Sequence, residues 1–157
     1  MNAFRHRLAS ALRDAATAIE RGAPYEWGHV GRCNVGHVVQ RLARMTDREI
    51  FAAFERTLDQ WREHAETYFD AAVGDEPLAT TEAPSDVCST SRASIESIYR
   101  LFHAAGFDAE DIGHLEFLSD PEVLARIPPE RRSQLRRNNP ADVALYMRTL
   151  AQMLEPA

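Results

Sequence analysis

The sequence predicts an all-α fold, and three observations carry that expectation. Apolar residues recur at helical spacing in most stretches of the chain. Helix-start signals, among them Thr46-Asp47-Arg48-Glu49, Asp120-Pro121 and Asn139-Pro140, stand directly before those stretches. No segment shows the period-two alternation of a half-buried strand. The expected architecture is a single domain over residues 1–157, a bundle of about six to eight helices, several of them short.

The first helix is expected from Asn2 or Ala3 to Arg21, with Phe4, Leu8, Leu12, Ala15 or Ala16, and Ile19 as its inner stripe. Gly22 and Pro24 stop it. A loop with Tyr25 and Trp27 follows. The second helix begins at Cys33 or Asn34 and runs to Met45, turning Val38, Val39, Leu42 and Met45 inward. The capping box at Thr46–Glu49 opens a third helix at Asp47, which carries Ile50, Phe51, Phe54, Leu58, Trp61, Tyr68 and Phe69. It reads as one helix to Val73, or as two with a break at 58–60.

Residues 74–87 hold Gly74, Pro77 and Pro84 without apolar periodicity, so they read as irregular. A helix from Ser91 or Arg92 to Ala105 then presents Ile95, Ile98, Leu101 and Phe102, and Gly106 caps it. Asp108 caps a short helix through Leu118. Asp120-Pro121 starts another, which Ile127-Pro128-Pro129 breaks. A turn spans Glu130 to Arg136. The last helix follows Asn139-Pro140 and carries Val143, Tyr146 or Met147, Leu150 and Leu154.

Composition narrows the function classes. Hydrophobic residues make up 45% and charged residues 27%, the balance of an ordinary globular protein. No apolar run reaches the ~20 residues that span a bilayer. Arg13, Asp14, Glu20 and Arg21 interrupt what would be a signal-peptide core, so a cytoplasmic location is expected. The net charge of -6 argues against a sequence-independent nucleic-acid partner and leaves a protein partner or a small-molecule substrate. Arg131, Arg132, Arg136 and Arg137 read as a solvated helix face. The two cysteines, Cys33 and Cys88, are far apart in sequence and form no C-x-x-C motif.

The chemistry-bearing stretch is Trp27-Gly28-His29-Val30-Gly31-Arg32-Cys33-Asn34-Val35-Gly36-His37. His29, Cys33 and His37 are spaced four apart and would share one helix face. Thiolate and imidazole are the donors that borderline metals prefer. A helix start lowers a thiol's pKa and supplies the deprotonated ligand. The expected metal ligands are therefore His29, Cys33, His37 and Cys88, with zinc first and iron or copper next. The same thiol offers a second reading, Cys33 as the nucleophile of a hydrolase or transferase. A third makes the glycine motif a loop-packing device in a non-enzymatic interaction module. His6, His64, His103 and His114 read as surface or structural histidines, with His114 keeping a small claim beside Gly113.

The stretch resembles the signature W-G-H-x-G-x-C-N-C-G-H/N-L-x-Q of a family of small uncharacterised bacterial proteins, here standing as Trp27 to Gln40. The resemblance extends to Cys88-Ser89-Thr90-Ser91, Ala105-Gly106-Phe107, Leu115 to Asp120 and Asp142 to Arg148. It implies a site without implying an activity. Val35 departs from the pattern, where the family often has another cysteine. Pro24-Tyr25-Glu26-Trp27-Gly28 followed by Cys33 also looks like the start of papain-like cell-wall peptidases, which use a cysteine at a helix N-terminus. Arg32 stands where that family tends to have Asp, and no strand pattern follows to carry its histidine.

Overall fold

A computed structural model of the chain describes residues 3–27, 31–54 and 98–155. Every regular element among them is helical: α1 (Ala3–Glu20), α2 (Asn34–Leu42), α3 (Asp47–Phe54), α4 (98–104), α5 (Ala109–Phe117), α6 (Pro121–Leu124), α7 (Pro129–Arg132) and α8 (Pro140–Leu154). The all-α expectation holds. No described helix is long and apolar enough to cross a membrane.

The core grows from α1 and α8, which pack against each other more extensively than any other pair among the described helices. Leu8, Ala9, Leu12, Ala15, Ala16 and Ile19 of α1 are buried with Val143, Ala144, Met147, Leu150 and Ala151 of α8. Alanines within that seam add no side-chain bulk and no rotamer entropy, so the helices can approach closely. The pair is antiparallel, as its polar rim shows. Arg13 reaches Glu155 at 2.6 Å near one end, and Arg148 reaches Thr17 at 3.2 Å and also Glu20 near the other. Phe4, expected in the stripe, lies at the exposed start of α1.

The helix ends follow their local chemistry. Gly22 and Gly106 take positive φ (91° and 79°) and terminate α1 and α4. Asn139 accepts from the Ala141 and Asp142 N–H groups at 3.0 and 3.2 Å, with Pro140 at the first helical position of α8. Asp120 does the same for α6 through Glu122 N–H at 2.9 Å. The second helix stops at Leu42 rather than Met45, because Arg44 turns to φ 56° and reverses the chain. Met45 still packs half-buried against the core. The Thr46–Glu49 capping box forms as expected: each side chain bonds the other's backbone N–H at 3.1 Å.

α2 lies across α1 and also contacts α3 and α5. It therefore brings the glycine-histidine-cysteine stretch against the C-terminal turn of α5. The expectations for residues 55–97, including the continuation of α3, the irregular segment and Cys88, lie outside the described residues, as does His29.

Candidate functional site

Cys33 is the N-cap of α2. Its backbone is extended (φ -78°, ψ -175°) and its sulfur accepts the Gly36 N–H at 3.3 Å. α2 has no acid in its own first turn. The missing negative charge comes instead from α5: Glu116 accepts the Val35 N–H at 3.1 Å through Oε2. The Cys33 thiol also donates to the Glu116 carboxylate. The result is a thiol and a carboxyl group side by side on the positive end of a helix. Both are buried, Cys33 at 1% exposure and Glu116 at 8%. Burial pushes the Glu116 carboxyl above its ordinary value, while the thiol and the Val35 N–H pull it down.

Asn34, fully buried, locks this arrangement. Its Nδ2 faces the carbonyls of Leu115 (3.4 Å), Glu116 (3.0 Å) and Arg137 (3.1 Å), and its Oδ1 accepts from the Tyr25 hydroxyl. Two of those carbonyls belong to the last turn of α5, where no intrahelical donor exists. Trp27 Nε1 gives the Glu116 carbonyl a second donor at 3.2 Å. Trp27 then meets Phe117 edge-on, and the Arg137 guanidinium lies over both rings, 4.5 and 5.2 Å from their centroids. Burial and the nearby Glu116 and Cys33 raise the Tyr25 hydroxyl's pKa, so it stays a donor.

His37, one turn after Cys33, is turned toward the loop. Its Nε2 lies 2.8 Å from the Pro24 carbonyl and must carry the proton, since a carbonyl only accepts. Nδ1 lies 3.4 Å from Arg41, which also donates to the His37 carbonyl at 2.8 Å. Burial, foremost, holds the imidazole below its ordinary pKa and therefore neutral. Gln40 closes the other side of the loop on the Gly31 carbonyl at 2.7 Å, and Arg32 pairs with Asp47 at 2.7 Å. Gly31 is required by close approach: an added Cβ would stand 2.2 Å from the Asp47 carbonyl oxygen.

The four expected ligands are thus placed unequally. Cys33 and His37 both sit at the start of α2, with the imidazole nitrogens directed at Pro24 and Arg41 rather than at the sulfur. His29 and Cys88 lie outside the described residues. Among the described residues no group of three or more His, Cys, Asp or Glu side chains could hold a metal ion. The residue beside the thiol is Glu116, which spacing within the motif does not reveal. Its signal is different: an acid inside Leu115-Glu116-Phe117-Leu118, four residues after Ile112 and so on that residue's buried face.

Neither family models, nor curated proteins, nor solved structures include a match to this chain.

Proposed function

We propose that this is a metal-binding helical protein whose centre is built on Cys33 and Glu116. One observation carries the reading: two groups that are anionic when deprotonated meet in a buried position, brought from α2 and α5. Burying two acids together is unfavourable unless a cation or a shared proton joins them. Thiolate and carboxylate are both ordinary zinc donors, and the Val35 and Gly36 N–H groups would then orient the ligands from behind. His29 and Cys88 are the sequence's candidates for the remaining positions. His37 serves as a positioning group, tying α2 to the Pro24 carbonyl. Mixed sulfur, oxygen and nitrogen ligation favours zinc, then iron or copper.

The test is metal content by mass spectrometry on untagged protein made in metal-supplemented medium, wild type beside Cys33→Ala and Glu116→Gln. About one equivalent of a single metal is expected in the wild type. Cys33→Ala should lose it, and Glu116→Gln should bind more weakly and release it to a mild chelator. Cobalt substitution should add a sulfur-to-metal charge-transfer band that Cys33→Ala removes. A wild type without metal, or Cys33→Ala with undiminished metal, overturns the proposal.

The thiol's bond to Glu116 favours one alternative, a cysteine nucleophile with Glu116 as its base. That reading predicts rapid iodoacetamide labelling of Cys33 at neutral pH in metal-free protein, slowed at least ~100-fold in Glu116→Gln. Slow labelling unaffected by Glu116→Gln removes it.

A further inference from the structure

We propose that Ser119, His114 and Glu110 form a second site, independent of the first, in which Ser119 is a nucleophile toward small activated acyl esters. The local fold builds it. α5 ends on Leu118 in the left-handed conformation (φ 51°, ψ 52°), with the Leu118 and Ser119 N–H groups both directed at the His114 carbonyl. That conformation costs a non-glycine residue about 1 kcal/mol, and burial of the Leu118 side chain holds it. The reversal folds Ser119 back over the last turn, so that its Oγ lies 2.8 Å from His114 Nδ1. The other ring nitrogen, Nε2, faces Glu110 Oε1 one turn earlier, at 3.6 Å. All three side chains line one cavity of about 150 Å³ together with Gly113 and Phe117.

The chemistry follows from the tautomer. In the tautomer that carries its proton on Nε2, on the side of Glu110, the Nδ1 lone pair faces the serine hydroxyl 2.8 Å away. Ser119 Oγ adds to the acyl carbon and its proton passes to Nδ1. The tetrahedral adduct collapses, the bond to the leaving group breaks, and Nδ1 returns the proton to that group. Water then attacks the acyl-serine by the same route, releasing the acid and restoring the hydroxyl. Nearby backbone donors are already engaged: Leu118 and Ser119 N–H by the His114 carbonyl, and Asp120 N–H by the Tyr146 hydroxyl at 3.0 Å. The site therefore depends on the substrate's own leaving group rather than on an oxyanion hole. The substrate class is correspondingly narrow: thioesters or aryl esters of short acyl groups, which suit the cavity's size and its Phe117 wall.

The experiment treats the full chain with a fluorophosphonate probe and, separately, with p-nitrophenyl acetate, mapping adducts by mass spectrometry. Ser119 is exposed and its Oγ bonds His114, so Ser119→Ala should keep the fold, checked by circular dichroism. One adduct at Ser119 is expected, absent from Ser119→Ala and formed at least ~100-fold more slowly in His114→Gln. Glu110 is a positioning residue. Glu110→Gln should slow the maximal labelling rate several-fold while leaving the half-saturating probe concentration unchanged. Adducts spread over several serines, labelling that persists in Ser119→Ala, or an undiminished rate in folded His114→Gln overturns the proposal.

Discussion

The α1–α8 seam and the joint where α2 docks onto α5 both centre on buried residues, yet they are held by opposite means. The helix pair meets through aliphatic side chains and alanines, and its ion pairs lie only at the rim. The docking loop meets its neighbours through a connected polar set: Tyr25, Trp27, Asn34 and Glu116 around the carbonyls of Leu115, Glu116 and Arg137. Apolar burial is divisible, because each methylene contributes on its own. A buried polar network is not, because removing one member strands the partners of several others. The first region should therefore respond to substitution gradually and additively, and the second abruptly.

The largest effect should come from Asn34→Ala. The substitution takes the Nδ2 donor from three carbonyls and an acceptor from Tyr25, and the space it leaves is closed. A loss of about 4 kcal/mol is expected in urea unfolding, from four lost hydrogen bonds at ~1 kcal/mol each, while Trp27 and Tyr25 still serve the Glu116 and Arg137 carbonyls. Combined with Tyr25→Phe it should be strongly non-additive, since the two share one network. Leu12→Ala in α1 should cost somewhat less, about 3 kcal/mol, as a cavity in a packed seam. Its effect should add to that of Asn34→Ala within ~0.5 kcal/mol. Additivity within the Asn34–Tyr25 pair would erase the distinction between the regions.

Gly31→Ala probes the docking loop without touching the network. Its Cβ would overlap a backbone oxygen, which cannot swing aside as a side-chain end could. The loop must shift, and the Arg32–Asp47 pair would part. A loss of about 2 kcal/mol is expected, with the metal content falling in parallel if the loop positions the proposed centre. An unchanged unfolding midpoint would mean that the loop and α3 separate freely.

The same contrast explains what was legible in the sequence. Helix boundaries follow local chemistry, so Gly22, Gly106, Asp120-Pro121 and Asn139-Pro140 announce them within a residue or two. The seam follows period, so Leu8, Leu12, Val143 and Leu150 were predictable as core. The candidate site was half legible. Cys33 at the start of α2 is a local fact, set by the glycines before it and the apolar period after it. Its neighbour Glu116 is a tertiary fact, set by how α5 docks on α2. Asn34 reads from the sequence as a helix start, which it is, but its buried bonding to α5 depends on the same docking. His37 shared a helical spacing with Cys33, but spacing says nothing of ring direction, and the Pro24 carbonyl decides that.

The smallest expected effect concerns the far end of α5, where polar groups are local and half exposed. Asp108 and Asp111 form a reciprocal capping box, each accepting the other's backbone N–H at 3.0 Å. Partial burial, then the neighbouring charge of Asp108, pushes the Asp111 carboxyl up from 3.8 to about 6. Between those values the folded protein holds a proton that the unfolded chain has released. Stability therefore falls as pH rises through that window, and the penalty persists at neutral pH. Asp111→Asn cannot ionise, yet its Oδ1 still accepts the Asp108 N–H. It should stabilise the protein at pH 7 by about 1 kcal/mol, discounted for solvent screening, and leave stability at pH 3 nearly unchanged. Equal destabilisation at both pH values would mean that the carboxylate's geometry, rather than its charge, governs this cap.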